Sequence, residues 1–222
     1  MNGLIHALEP RFGPEFKLAE YGSEQPEPSR LPPTPLQPKP QRFSGISDDS
    51  FDLTISIFGA MFAPRPFDVA KEMVRVTKPG GRIVMGNWIP GDPTLVAQIL
   101  RISSAYSPPP PEGFVSPMTW GVEESVVERF IAVGIPGGNV SFEKVPYVFD
   151  FAGTPTEFVE MFRDYYGPTM NAFEAARQNG KENMLFAELA ELFTAQNQSG
   201  EPGRTRIAAT YLRVTVQKPS ES

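Results

Sequence analysis

Phe51, Leu53, Ile55 and Ile57 alternate with smaller or polar neighbours, the period of a half-buried strand. Phe67, Ala70, Met73 and Val74 then fall on one face of a helix running from Phe67 to Val76. Lys78-Pro79-Gly80-Gly81 ends that helix in this reading, because proline cannot continue the hydrogen-bond ladder and glycine accepts the left-handed conformation of a helix end. A second strand follows at Arg82 to Met85. Strand, helix and strand in this order predict a right-handed βαβ crossover with a parallel sheet.

Beyond Trp88 the pattern continues with a proline-bounded stretch from Pro90 to Pro117, holding one helix around Thr94 to Tyr106, which reads as a cover over a site. Val122, Val126, Val127, Phe130 and Ile131 repeat at helical spacing, with Glu123 and Glu124 near the N-terminus and Gly134 closing the helix. A strand is predicted from Val140 to Phe151. Thr154-Pro155-Thr156-Glu157 is a capping box with proline at the first helical position, starting a helix through Tyr166 that Gly167-Pro168 breaks. Further helices are predicted near Met170 to Arg177 and from Glu182 to Ala195, the latter with Leu185, Leu189, Leu192 and Phe193 on one stripe. The last strand, Arg206 to Gln217, suits antiparallel pairing with the strand at 140 to 151.

The N-terminal part has another character. Pro26, Pro28, Pro32, Pro33, Pro35, Pro38 and Pro40 crowd a stretch poor in apolar side chains, which predicts an extended linker or, less simply, a proline-rich ligand for an adaptor domain. Residues 4 to 21 carry weak helical hints. The division expected is therefore an irregular segment at 1–47 and an α/β domain at 48–219.

Charge and composition narrow the chemistry. A net charge of -6 and a pI near 5.0 leave no basic cluster for nucleic acid. No apolar run reaches the roughly 18 residues of a membrane span, so no membrane partner is expected. Cysteine is absent and His6 is the only histidine, which argues against disulfides, zinc sites and a Ser-His-Asp triad, and makes a cytoplasmic setting the default.

FDLTISIFGAMF, EMVRVTKPGGRIVMGNW and the closing YLRVTVQKP together resemble the C-terminal two-thirds of class I S-adenosylmethionine-dependent methyltransferases, in particular the methyltransferase type 11 kind, over Asp48 to Pro219. The resemblance implies a Rossmann-like α/β sheet with a helical cover and a C-terminal antiparallel strand pair. It places the family's fourth strand at Phe51 to Ile57 and the fifth at Arg82 to Gly86. The family's glycine-rich cofactor turn and the acid for the ribose hydroxyls have no counterpart before Phe51, since Gly3, Gly13, Gly22 and Gly45 stand alone. The expectation is thus an incomplete, truncated sheet with its first three strands missing. The strand at 51–57 would then be an open edge, prone to self-association.

The resemblance implies methyl transfer from S-adenosylmethionine to a small organic acceptor. Ser56, Ile57, Phe58, Gly59 and Phe62 would line the cofactor pocket, and Met61, Trp88, Tyr106, Trp120, Tyr165 and Tyr166 the acceptor. Each of these side chains also has an ordinary reading as turn, core or surface aromatic. No general base stands out, and transfer can proceed chiefly by holding the reacting atoms in line. The alternative is a non-catalytic methyltransferase remnant or interaction protein that does not bind the cofactor.

Overall fold

In the computed structural model the described residues are the strand Leu18–Glu20 and residues 45–220. The proline-rich stretch and most of the N-terminal segment lie outside them. The elements are strands β1 (Leu18–Glu20), β2 (Phe51–Ile57), β3 (Thr77–Trp88), β4 (Val140–Phe151) and β5 (Thr205–Gln217), with helices α1 (Pro66–Val76), α2 (Leu95–Tyr106), α3 (Glu123–Ile131), α4 (Pro155–Tyr165), α5 (Gly167–Gln178) and α6 (Glu182–Gln196). The strands form an open sheet in the order β1-β2-β3-β5-β4. This is a mixed α/β fold.

β2 and β3 pair in parallel, with Thr54 opposite Ile83 and Ile57 opposite Gly86, as the strand–helix–strand pattern requires. The open-edge expectation needs correction: β1 pairs in parallel with β2, Leu18 opposite Leu53 and Glu20 opposite Ile55. The backbone groups on that side of β2 demand partners, and even three residues supply them where side-chain periodicity predicts no strand.

The Pro-Gly-Gly sequence also acts differently from its sequence reading. α1 stops earlier, at Val76, because Thr77 turns extended while its N–H and its hydroxyl both bond the Met73 carbonyl. Gly80 and Gly81 lie within β3, where the β2–β3 register shifts between Phe51 and Leu53. Gly80 has φ +75°, and a Cβ on Gly81 would lie 2.8 Å from the Lys78 carbonyl oxygen. The irregularity therefore needs glycine at both places. The buried face of α1 is Pro66, Val69, Ala70, Met73 and Val76, one residue rotated from the predicted stripe, and Phe67 is exposed.

β4 and β5 run antiparallel: Asn139 donates to the Gln217 carbonyl at 2.8 Å, Ser141 to that of Thr215, and Arg213 pairs with Glu143. Lys218, just past β5, reaches the Val74 and Thr77 carbonyls at 3.0 and 2.7 Å and Asp49 at 2.7 Å. A cation thus sits at the carbonyl end of α1, where the helix dipole favours it.

The chain divides into two compact units. The first takes in residues to Asn87, Val115–Glu143 and the chain from Arg213 onward, and holds β2, α1, α3 and most of β3. The second comprises Trp88–Phe114 and Lys144–Leu212, in which α2, α4, α5 and α6 pack on one another. Leu95, Ile99, Phe158, Val159, Phe173, Leu185, Leu189 and Phe193 form its core. The Pro90 to Pro117 stretch thus contributes a core helix to this unit, rather than serving only as a cover. α5 begins at Gly167, three residues before its predicted start, with Pro168 in the first turn where a missing N–H costs nothing.

Candidate functional site

The loop beyond the carboxyl end of β2 is built from short-range bonds. Ser56 is buried, and its Oγ accepts the Ala60 N–H at 2.9 Å. Phe58 stands at φ +60°, a left-handed conformation that an aromatic residue adopts only under constraint, and its N–H donates to the Gly86 carbonyl at 2.9 Å. Gly59 then opens a 3-10 helix, Ala60–Phe62, by accepting the Phe62 N–H at 3.1 Å. Met61 is buried, Phe62 is partly exposed and Ile57 is half-buried. Ligands of open α/β sheets sit beyond strand carboxyl ends, which is where this loop lies.

Two residues that the sequence reading passed over lie in the same unit. Asn87, at the end of β3, is 1% exposed, and neither side-chain amide atom meets a hydrogen-bond partner among the described residues. Arg129 of α3 is 4% exposed and lies 4.4 Å over the ring of Trp120. Trp120 belongs to a second 3-10 helix, Pro117–Gly121, which packs against both α3 and the 60–62 helix. An asparagine closing an apolar run (Ile83-Val84-Met85-Gly86-Asn87) was a legible signal. Arg129 had a fainter one, its place between the inward-facing Val126 and Phe130.

The other aromatic candidates fall in the second unit. Trp88 is buried, edge-on to Tyr211 at 6.5 Å, and hydrogen-bonds with Tyr166. Burial pushes the Tyr166 hydroxyl pKa up, and the bond with Trp88 offsets part of that rise. Tyr106 donates to Glu188 at 2.6 Å, which raises its pKa, and it borders a cleft of about 330 Å³ with Ala176, Asn179 and Lys181. Tyr165 is 76% exposed. The structure therefore gathers the proposed cofactor residues with Met61 and Trp120 in the first unit and pairs Trp88 with Tyr166 in the second. Tyr106 bonds Glu188 instead, and the Tyr165 side chain is exposed.

Residues 29–85 match the family model described as a methyltransferase domain. That matched stretch is similar to a methyltransferase domain over about a quarter of the chain. The match starts upstream of Asp48 and ends within β3, so it contains β2, the 56–62 loop and α1. An uncharacterized protein of Mycobacterium tuberculosis is 31% identical over 148 residues, covering 66% of this chain and 52% of its own length. The chain spans about half the length of that relative. An uncharacterized methyltransferase of Mycobacterium bovis is 48% identical over 40 residues, 18% of this chain and 16% of its own. Among solved structures, a candidate methyltransferase of Bacillus halodurans aligns with 79% of this chain and 68% of its own at 14% identity, with a TM-score of 0.43. No helix among the described residues is long and apolar enough to cross a membrane.

Proposed function

We propose that this chain is a methyltransferase that carries out S-adenosylmethionine-dependent methyl transfer to a small organic acceptor. The observation that carries the reading is the 56–62 loop, whose strained Phe58 stands at the carboxyl end of a parallel strand inside the family-matched stretch. Backbone held in a sparsely populated conformation persists where surrounding structure over-determines it, and binding loops are a common place for it. Ser56 to Gly59 and Phe62 would hold the cofactor, and its sulfonium is a cation that an aromatic face such as Phe62 attracts. Asn87 adds a buried amide able both to donate and to accept at the end of the neighbouring strand. The cofactor itself supplies an electrophilic methyl group. The chain's part is to bind, to orient and to exclude water.

A non-catalytic reading is favoured by one specific observation: the sequence before Phe51 holds only the isolated Gly3, Gly13, Gly22 and Gly45 and no run of closely spaced glycines. Calorimetric titration with S-adenosylmethionine and S-adenosylhomocysteine separates the two. Weak binding is expected, with Kd about 0.1 to 1 mM and ΔG near -5 kcal/mol, because part of the usual backbone cradle is missing. Absence of heat and of any melting shift at millimolar cofactor would overturn the enzymatic reading and leave the interaction protein.

A further inference from the structure

Arg129 is a buried cation with no anion beside it among the described residues. Its Nη2 donates to the Thr119 hydroxyl, its plane covers the Trp120 ring, and its Nη1 meets no hydrogen-bond partner among the described residues. The indole Nε1 of Trp120 is likewise buried and unpartnered. No carboxylate among the described residues lies within ion-pair distance. Burial lowers the Arg129 pKa and nearby Glu128 partly restores it, so the environment disfavours the charge that the guanidinium nonetheless keeps.

A buried, uncompensated charge is strongly unfavourable, and a neutral side chain of similar length would pack against Trp120 without that cost. An anion changes the balance, since a guanidinium N–H and an indole N–H in one stacked pair can donate to the same oxyanion. We propose that Arg129 and Trp120 form a binding position for a small monocarboxylate. A single guanidinium balances one negative charge, whereas a phosphate dianion would be undercompensated. The 3-10 helix bearing Trp120 packs on the 60–62 helix, so the carboxylate sits in the unit that holds the proposed cofactor loop. Where the methyl-transfer reading holds, this ligand is the acceptor, and the acceptor class becomes small organic acids.

The test needs no cofactor, so its result is independent of whether S-adenosylmethionine binds. The protein has two tryptophans, giving two indole N–H resonances in a 15N-labelled sample, assigned with Trp88→Phe. Titration with acetate and benzoate at constant ionic strength should move the Trp120 resonance saturably at millimolar concentration and raise the melting temperature. Arg129→Met should abolish both responses while melting higher than wild type without ligand, because it removes the lone charge. If that variant does not fold, Arg129→Lys keeps charge but loses the planar fork, and should weaken the response at least tenfold. A Trp120 resonance that ignores carboxylates, responds equally to chloride, responds more tightly to phosphate, or still responds in Arg129→Met would each overturn the proposal. The first of these results would mean that water alone fills the position.

Discussion

At Phe58 the left-handed backbone and the aromatic side chain are in conflict, and the conflict is datable to no packing need of a turn alone, since asparagine or glycine makes the same turn without strain. Phe58→Asn should therefore leave stability unchanged or raise it by up to about 1 kcal/mol in denaturant melts, the order of strain stored in such a residue. The same variant should lose the calorimetric response to S-adenosylmethionine. Equal cofactor response in variant and wild type would detach the strained turn from binding. Arg129 raises the complementary point: its pattern position looks like an ordinary polar interruption of a helix, and it becomes informative only once Trp120, nine residues earlier, lies beneath it.

The elements differ in how local their causes are. The capping box was legible because it is complete within four residues: Glu157 accepts the Thr154 N–H at 2.7 Å, and Thr154 Oγ1 accepts the Glu157 N–H at 3.3 Å. Those bonds from the Thr154 backbone and hydroxyl lower the Glu157 pKa. A depressed folded-state pKa means that the stabilisation is present above the unfolded carboxylate value and disappears as pH falls through the lowered one. Thr154→Ala should cost about 1 kcal/mol near neutral pH. Melting curves of wild type and Glu157→Gln should converge in acid and separate above it; a difference that persists unchanged at low pH would rule out this cap as the cause. Alternation at 51–57 was similarly readable, and the match of β2 with β3 followed from it. The α1 stripe is rotated from its apolar pattern because the apolar Phe67 faces solvent, and β1 leaves no trace in the pattern because three residues carry no period. β1 makes its own prediction. Successive strand residues direct their N–H groups to opposite sides, so the double variant Ala19→Pro, Glu20→Pro removes whichever N–H faces β2. With β2 bared, light scattering at tens of micromolar, roughly where open edges associate, should show mass growing with concentration. A monomeric, folded variant would mean that the edge needs no cover.

For the whole molecule, the path of the chain matters more than the inventory of elements. It passes between the two units after Asn87, Phe114, Glu143 and Leu212, so neither unit is a continuous run of sequence, and β4 and β5 each contribute residues to both. Sequence periodicity gave no sign of this division, because the strand patterns at 140–151 and 206–217 run on without a break. Continuous strands argue for a single cooperative transition, since fraying one half of β5 releases the constraint on the other. Phe193 is fully buried among Phe158, Phe162 and Leu189 of the second unit, so Phe193→Ala should cost about 3–5 kcal/mol, a large share of the stability of an ordinary domain. Hydrogen exchange then distinguishes two outcomes. If the molecule unfolds as one, the most protected amides of α1 and β2 in the first unit lose protection by the same factor as those of α6. Amides of α1 and β2 that exchange as slowly as in wild type, beside fast exchange throughout α4, α5 and α6, would instead establish two independently folding units.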